Sequence, residues 1–311
     1  MTAALTPVAA CWVCGGARLA RVHDARLEFS AYRQQDPELA AYSGHRVAIV
    51  RCHACGFAQP ASLPALPRYF DRMYDQHWSA DWVEREHRAP YKDRIFDAVL
   101  VQLERRVPGG RRRLLDIGAH AGRFIARARA RGWDAEGLEL NPRTAAYAAA
   151  ATGGRVHQGN LYTWSGHDGS YDAVTMTDVL EHIPDPRSAL RRAHALLAPG
   201  GWIAVKVPNA PIQRLKERAR AWLRPGYQPA LADNLVHVNH FGPSSLRAAL
   251  AREGFGGADV FVAPPEMPEG EAPASRLDRL TRTLAYRAAA ALPGGTHSPL
   301  AFNLQAYARR D

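Results

Sequence analysis

Beyond residue 109 the chain alternates short apolar runs with longer stretches in which apolar residues recur every three or four positions. Such runs read as strands buried on both faces, and the longer spacing is the stripe of an amphipathic helix. Strands are predicted at Arg113–Ile117, Asp134–Leu140, Arg155–Gln158, Tyr171–Met176 and Ala258–Ala263. Another follows Leu196-Leu197-Ala198-Pro199-Gly200-Gly201, and a last one lies near Leu300–Ala308. Helices are predicted from Gly122 to Arg131, over Pro243–Glu253 and over Ser275–Leu292. The alternation predicts an α/β fold, a doubly wound and mostly parallel sheet with its ligand beyond the carboxyl ends of the strands. Residues 208–236 interrupt the alternation and are expected to cover the site.

The first 108 residues follow no such rhythm. Val47–Arg51 reads as a strand, and Pro60, Pro64 and Pro67 precede an aromatic stretch of Tyr69, Phe70, Tyr74, Trp78, Trp82 and Tyr91. Helices are predicted over Asp81–Val107, where Ile95, Val99, Leu103 and Val107 form one apolar face for a neighbouring domain. The chain therefore divides into a small module at 1–66, a helical linker or lid at 67–108 and a large domain at 109–311. Within that domain, residues 264–311 supply a late helix and the last strand. The aromatic residues are either packing or part of a substrate lid.

Composition narrows the class. With 311 residues, 47% hydrophobic and 23% charged, the chain is neither disordered nor fibrous. No apolar run approaches the roughly 20 residues of a membrane span. Residues 1–10 lack the basic and apolar regions of a secretory leader, so a cytoplasmic protein is expected. The net charge of +10 invites an anionic partner, but the basic residues are nearly all arginine in an alanine-rich chain, with only Lys92, Lys206 and Lys216 as lysines. The run Arg111–Arg113 precedes a strand and reads as a solvated face.

Four cysteines sit in two C-x-x-C-G turns, Cys11-Trp12-Val13-Cys14-Gly15 and Cys52-His53-Ala54-Cys55-Gly56. A two-residue spacer aims both sulfurs of a turn at one ion, and two turns close a tetrahedral site with no open position. Cys11, Cys14, Cys52 and Cys55 are thus candidate ligands of a structural zinc ion, in a zinc-ribbon-like module. Reduced cysteines without metal, or a redox pair, are the alternatives. Residues 15–46 form an insertion between the turns with no assigned use.

The first strand of the large domain ends in Asp116-Ile117-Gly118-Ala119-His120-Ala121-Gly122. Gly118 permits a tight turn and Gly122 a close approach of backbone, while the following helix offers free N–H groups. Glu139 ends the next strand about twenty residues on, where an acid accepts both hydroxyls of a ribose. His120 stands where a dinucleotide fingerprint needs its second glycine, which disfavours a nicotinamide enzyme. Together with Asp178-Val179-Leu180-Glu181-His182 and the Pro199-Gly200-Gly201 turn, this pattern resembles the class I S-adenosylmethionine-dependent methyltransferases. With the cysteine turns it resembles more closely the bacterial subgroup that fronts this domain with a zinc-binding module, as sugar and natural-product methyltransferases do.

The resemblance implies a seven-stranded Rossmann-like sheet whose last strand is antiparallel beside the sixth. By matched position it implies that Asp116, Gly118 and Gly122 shape the pocket for the methionine part of S-adenosylmethionine, with Asp116 near its ammonium. Glu139 holds the ribose, Asn160 and Leu161 flank the adenine, and Thr177 and Asp178 complete the pocket. His120 replaces the family's middle glycine and either touches the methionine end or faces solvent. Asn160 and Asp178 also suit turn or cap positions.

Methyl transfer asks the protein to align the acceptor, exclude water and, for a hydroxyl or carbon acid, remove a proton. His182, His237 and His240 are the candidate bases, as imidazoles near strand ends. His237 and His240 are three apart, which on a turn or helix aims both at one cavity. Glu181 is a possible partner for them. Arg214, Lys216, Arg218, Arg220 and Arg224 make the cover basic, either to steer a phosphate-bearing acceptor or as a solvated helix. The leading expectation is methyl transfer to a small molecule, a sugar, glycan or secondary metabolite. An RNA methyltransferase gripping nucleic acid through the zinc module is the alternative, as is a non-catalytic interaction protein that retains the cofactor.

Overall fold

The computed structural model describes residues 4–74, 80–109, 112–223, 237–267, 273–292 and 302–311. Trp78, Arg111, Arg224 and the later half of the expected cover lie outside the described residues. The amino-terminal region contains β1 (Leu5–Pro7), β2 (Leu19–Arg26), the short α1 (Pro37–Ala40), β3 (Arg46–Cys52), β4 (Ala58–Pro60) and β5 (Ser62–Pro64). β3 pairs antiparallel with β2 on one side and β4 on the other, and β1 pairs with β5. The insertion between the cysteine turns thus supplies β2 and α1. It also contributes Ala25, Leu27, Phe29, Leu39 and Tyr42 to a buried cluster with Val47 and Ile49 of β3.

Three helices lead into the large domain: α2 (Tyr69–Tyr74), α3 (Ala80–Arg88) and α4 (Asp93–Arg106). The helices expected over Asp81–Val107 are two, separated after Arg88. Ala89 has extended dihedrals and Pro90 opens a short 3-10 turn, since the residue before a proline is driven from the helical region. Ile95, Val99 and Leu103 of α4 are buried as their spacing requires.

The large domain then runs β6 (Arg113–Ile117), α5 (Arg123–Ala130), β7 (Asp134–Glu139), α6 (Pro142–Ala151), β8 (Val156–Gln158), β9 (Tyr171–Thr177), α7 (Pro186–Leu196) and β10 (Leu197–Pro208). It continues with α8 (Ala210–Leu223), α9 (Pro243–Arg252), β11 (Phe255–Val262), α10 (Pro273–Ala291) and β12 (Asn303–Arg310). The seven-stranded sheet has the order β11-β12-β10-β9-β6-β7-β8. β12 is antiparallel and lies between β10 and β11, while β10, β9, β6, β7 and β8 are mutually parallel. The Rossmann-like methyltransferase sheet read from the sequence is therefore present. Leu114, Leu115, Ala173 and Val174 of the central strands are fully buried, as strands covered on both faces require. Connections lead from β6 outward to β7 on one side, and β9 lies on the other. This reversal of strand order opens a crevice at the carboxyl ends of β6 and β9.

The two regions share a core. Cys11, Val13, Cys52 and Phe57 belong to the same buried cluster as Leu180, Ile183, Phe241 and Leu246. No helix among the described residues is long and apolar enough to cross a membrane.

Candidate active site

The turn after β6 is built on glycine for steric reasons. Gly118 has φ +75°, and a Cβ there would stand 2.4 Å from the Val179 Cγ2 methyl. Gly122 has φ +80° and caps α5, and its Cβ would stand 3.0 Å from Thr152 Cγ2. His120 also adopts a positive φ, 49°. Its ring is exposed and meets the Trp82 indole edge-on, with centroids 5.4 Å apart. Glu139 is fixed by backbone amides, accepting at Oε2 from His120 N–H (2.8 Å) and at Oε1 from Asn141 N–H (2.9 Å).

A cavity of about 680 Å³ opens over this turn. Asp116, Gly118, His120, Glu139, Asn160, Leu161, Thr177 and Asp178 all line it, so the sequence-based cofactor set converges, apart from Gly122, which packs behind the wall. Asp116 is buried and accepts a 2.6 Å hydrogen bond from Thr175 Oγ1. Burial pushes its carboxyl up to about 7, and the charge of Glu139 adds to that, while the Thr175 bond and Lys92 act the other way. Phe70 and Tyr74 of α2, Trp82 of α3, and Tyr91 and Lys92 close the opposite side. This wall was not assigned from sequence beyond the general possibility of an aromatic lid, because only tertiary packing brings it over the sheet. The Tyr74 carbonyl accepts from Asn141 Nδ2 (2.9 Å), and a ring nitrogen of His87 lies 2.6 Å from the Ala121 carbonyl.

A second cavity of about 610 Å³ shares Lys92, Asp178 and His182 with the first. Asp178, with φ 56°, sits between two ammonium groups, Lys92 at 3.0 Å and the buried Lys206 in direct contact. Against the effect of burial, these two cations hold its carboxyl well below the usual carboxylate range. All three lysines of the chain line this cavity, together with Glu181, His237, Glu266 and Arg282. His182 and His237 meet at 4.7 Å between ring centroids. Burial and the neighbouring His182 push the His237 imidazole down to about 3, so it is neutral near pH 7. Glu181 is buried, and its carboxylate oxygens have no hydrogen-bond partner among the described residues. Burial and then the charge of Asp178 raise its carboxyl well above the usual range. Glu181, His182 and His237 each offer a ligand atom within 4.8 Å of the others.

The expected convergence of His237 and His240 does not occur. His240 is buried, lines neither cavity and exchanges backbone hydrogen bonds with Ala58 (2.9 and 3.2 Å). The expectation assumed a turn or helix. Extended backbone at this bridge sends residues at odd spacing to opposite faces, and the His240 ring turns to His23, 6.2 Å away. Asn239 between them ties the segment to the Glu181–His182 turn, donating from Nδ2 to Leu180 O (2.7 Å) and Ile183 O (2.6 Å).

The four cysteine sulfurs converge at one point of the amino-terminal region. Cys11 and Cys55 Sγ are 3.6 Å apart, Cys14 and Cys52 Sγ 3.4 Å apart, and all four lie within 4.8 Å of one another. Gly16 leaves room for them, since a Cβ there would stand 3.3 Å from two of the sulfurs. Burial raises the Cys11 thiol to about 11. At Cys52 the N–H groups of Cys55 and Ala54 outweigh burial and lower it to about 7.

Comparison with known proteins bears on this geometry. Residues 84–257 match a family model described as a methyltransferase domain. The ubiquinone biosynthesis O-methyltransferase of Bordetella avium is 33% identical over 104 residues, 32% of this chain and 43% of that protein. The protein of the same name from Pectobacterium atrosepticum is 30% identical over 119 residues, 36% of this chain and 46% of that protein. The chain thus spans less than half the length of these curated relatives. A chain from the Haloferax volcanii complex of the Trm112 methyltransferase activator superposes with a TM-score of 0.51 at 15% identity, covering 78% of this chain and 97% of that one, which shows a common fold. With the family match extending over more than half of its residues and the glycine turn, acidic strand end and sheet order in place, this chain belongs to the methyltransferase domain family.

Proposed function

We propose that this protein is an S-adenosylmethionine-dependent methyltransferase that modifies a small polar molecule, a sugar, glycan or other secondary metabolite. The observation that carries the reading is the wall of Lys92, Asp178 and His182 shared by two cavities at the carboxyl end of β9. One cavity suits the cofactor and the other an acceptor, and each has the size of a small-molecule site.

The residues fit the cofactor. Asp116 offers a buried carboxylate to its ammonium, Glu139 an acceptor pair to the ribose hydroxyls, and Leu161 an apolar surface to the adenine. Gly118 lets the turn close against Val179, where a Cβ would clash at 2.4 Å, and so puts bare backbone on the cavity wall. Bound there, the cofactor supplies an electrophilic methyl group on a sulfonium. The chain's part is to hold the acceptor atom in line with that methyl, exclude water with the α2 and α3 wall, and take up the acceptor's proton. His237, neutral and on the second cavity beside His182, is placed to receive that proton. The polar lining of the second cavity favours an acceptor rich in hydrogen-bonding groups over an apolar one.

The four cysteines fit a structural zinc ion. A tetrahedron with zinc–sulfur distances of about 2.3 Å has edges of about 3.8 Å, close to the observed sulfur separations of 3.4 and 3.6 Å. Four sulfur ligands leave no position for substrate, so the ion would hold the amino-terminal strands together and take no part in transfer.

The test is transfer of labelled methyl from S-adenosylmethionine into an extract of the source organism, separated into small-molecule, glycan and RNA pools. Asp116→Ala serves as the inactive control. Label in the small-molecule or glycan pool supports the reading. Label confined to RNA overturns it.

A further inference from the structure

We propose that Asp71, on α2 and outside the matched methyltransferase domain, accepts the hydrogen bond from the exocyclic amine of the cofactor's adenine and so sets the choice of base. The inference rests on the reading of the first cavity as the S-adenosylmethionine site. The position that the sequence points to for this role is Asn160, at the carboxyl end of β8. Reading an amine requires an acceptor. Asn160 Oδ1 already accepts from the Tyr162 N–H at 2.9 Å, closing a local turn after the strand. Its Nδ2, a donor, faces Asp71 Oδ1 at 3.5 Å. On the side of Asp71 the amide thus presents a donor, not an acceptor.

Asp71 offers a charged acceptor beside that amide, and a charged acceptor makes the stronger hydrogen bond. Asp71 lines the cavity beside Asn160 and Leu161. One of its oxygens, Oδ2, accepts from Arg68 Nε at 3.1 Å, and Oδ1 is the oxygen on the Asn160 side. A carboxylate oxygen has capacity for more than one donor, so the contact with Asn160 leaves room for the amine. The other carboxylates on the cavity are held by partners that fix where they point, and two of them, Asp116 and Glu139, are assigned above to the ammonium and the ribose. Asp116 is held by Thr175, Glu139 by two backbone amides, Glu86 by the Tyr91 hydroxyl and Asp178 by two lysines.

The helix that carries Asp71 is fixed in place. The neighbouring Arg72 makes a two-pronged ion pair with Asp36 (2.6 and 2.5 Å) and a further contact with Glu38 (2.8 Å), both from the insertion between the cysteine turns. At the helix end, the Tyr74 carbonyl accepts from Asn141. The carboxylate is therefore held before the cofactor arrives, which lowers the ordering cost of binding. The insertion gains a use as the anchor of a cofactor-reading helix.

The experiment is equilibrium binding to the full chain of S-adenosylhomocysteine and of its analogue with unsubstituted purine in place of adenine. Wild type should favour the adenine form by about tenfold or more, the worth of one charge-assisted hydrogen bond. Asp71→Ala should bring the ratio close to one, and Asp71→Asn, which keeps an acceptor and the shape, should fall between. Asn160→Ala, which removes only a neighbour of Asp71, should lower the ratio less than Asp71→Ala does. An Asp71→Ala protein that discriminates as well as wild type overturns the proposal, as does loss of discrimination in Asn160→Ala alone. Binding of neither compound by wild type would instead remove the cofactor reading on which the proposal stands.

Discussion

Cofactor binding should be linked to pH through Asp116. The carboxyl is buried, accepts one hydrogen bond from Thr175, and titrates in the fold near 7. Its unfolded value is near 3.9. A carboxyl raised in the fold contributes stability that is complete below the unfolded value and is lost as pH rises from there through about 7. A shift of about three units corresponds to about 4 kcal/mol, the strain carried by the empty site once the group ionises. A cofactor ammonium needs the ionised form, so below pH 7 binding must expel a proton. The affinity for S-adenosylhomocysteine should then weaken about tenfold between pH 8 and pH 6. Titration calorimetry at several pH values, in buffers of different ionisation enthalpy, reads both the slope and the proton released. Asp116→Asn should bind far more weakly, lose the slope, and melt higher than the empty wild type at pH 8. Wild-type affinity that is flat from pH 6 to 8, or a slope unchanged in Asp116→Asn, would refute the reasoning.

Gly118→Ala forces a methyl to 2.4 Å from Val179 at a positive φ, so cofactor affinity should fall at least tenfold and stability by about 1–3 kcal/mol, read by calorimetry and thermal melting. Asp178→Asn removes the carboxylate between two lysines, and the buried Lys206 should cost about 3–5 kcal/mol, with an unchanged melting temperature showing that Glu266 at 3.6 Å suffices as its partner. His237→Ala should lower kcat while S-adenosylhomocysteine affinity holds, whereas full turnover would remove it as the proton acceptor. Cys52→Ser should reduce bound zinc, measured by elemental analysis, and lower the melting temperature. Zinc retained at one ion per chain would show that three sulfurs are enough.

The sheet was legible in sequence because each of its strands carries a burial pattern, as in the fully apolar Ala173-Val174 step, and each turn carries glycine where only glycine fits, as at Gly118. The part of the first cavity's lining contributed by those turns followed directly. What the sequence concealed was contributed by distant segments. Lys92 and Asp71 reach the cavities from the turn before α4 and from α2, and no local pattern marks a lysine that will pair with a carboxylate far along the chain. His240 misled because spacing specifies a shared face only once the backbone conformation is known. The same three-residue spacing that unites side chains on a helix separates them in the extended bridge with Ala58.

That bridge also has a temporal consequence. Ala58 pairs with His240, the Phe57 ring meets Phe241 at 4.9 Å, and Cys11, Val13 and Cys52 sit in one cluster with Leu246 and Leu250 of α9. The amino-terminal strands are made first on the ribosome and bury one cluster among themselves, yet Phe241, Leu246 and Leu250, which pack with the cysteine turns, arrive only in the last third of the chain. Until then the cysteine turns lack their packing, and contacts so distant in sequence close slowly. On the proposed reading of the four cysteines as zinc ligands, metal capture by the thiols would protect the nascent strands during that wait. Zinc scarcity would then show first as poor yield of newly made protein, well before any loss of activity in molecules already folded.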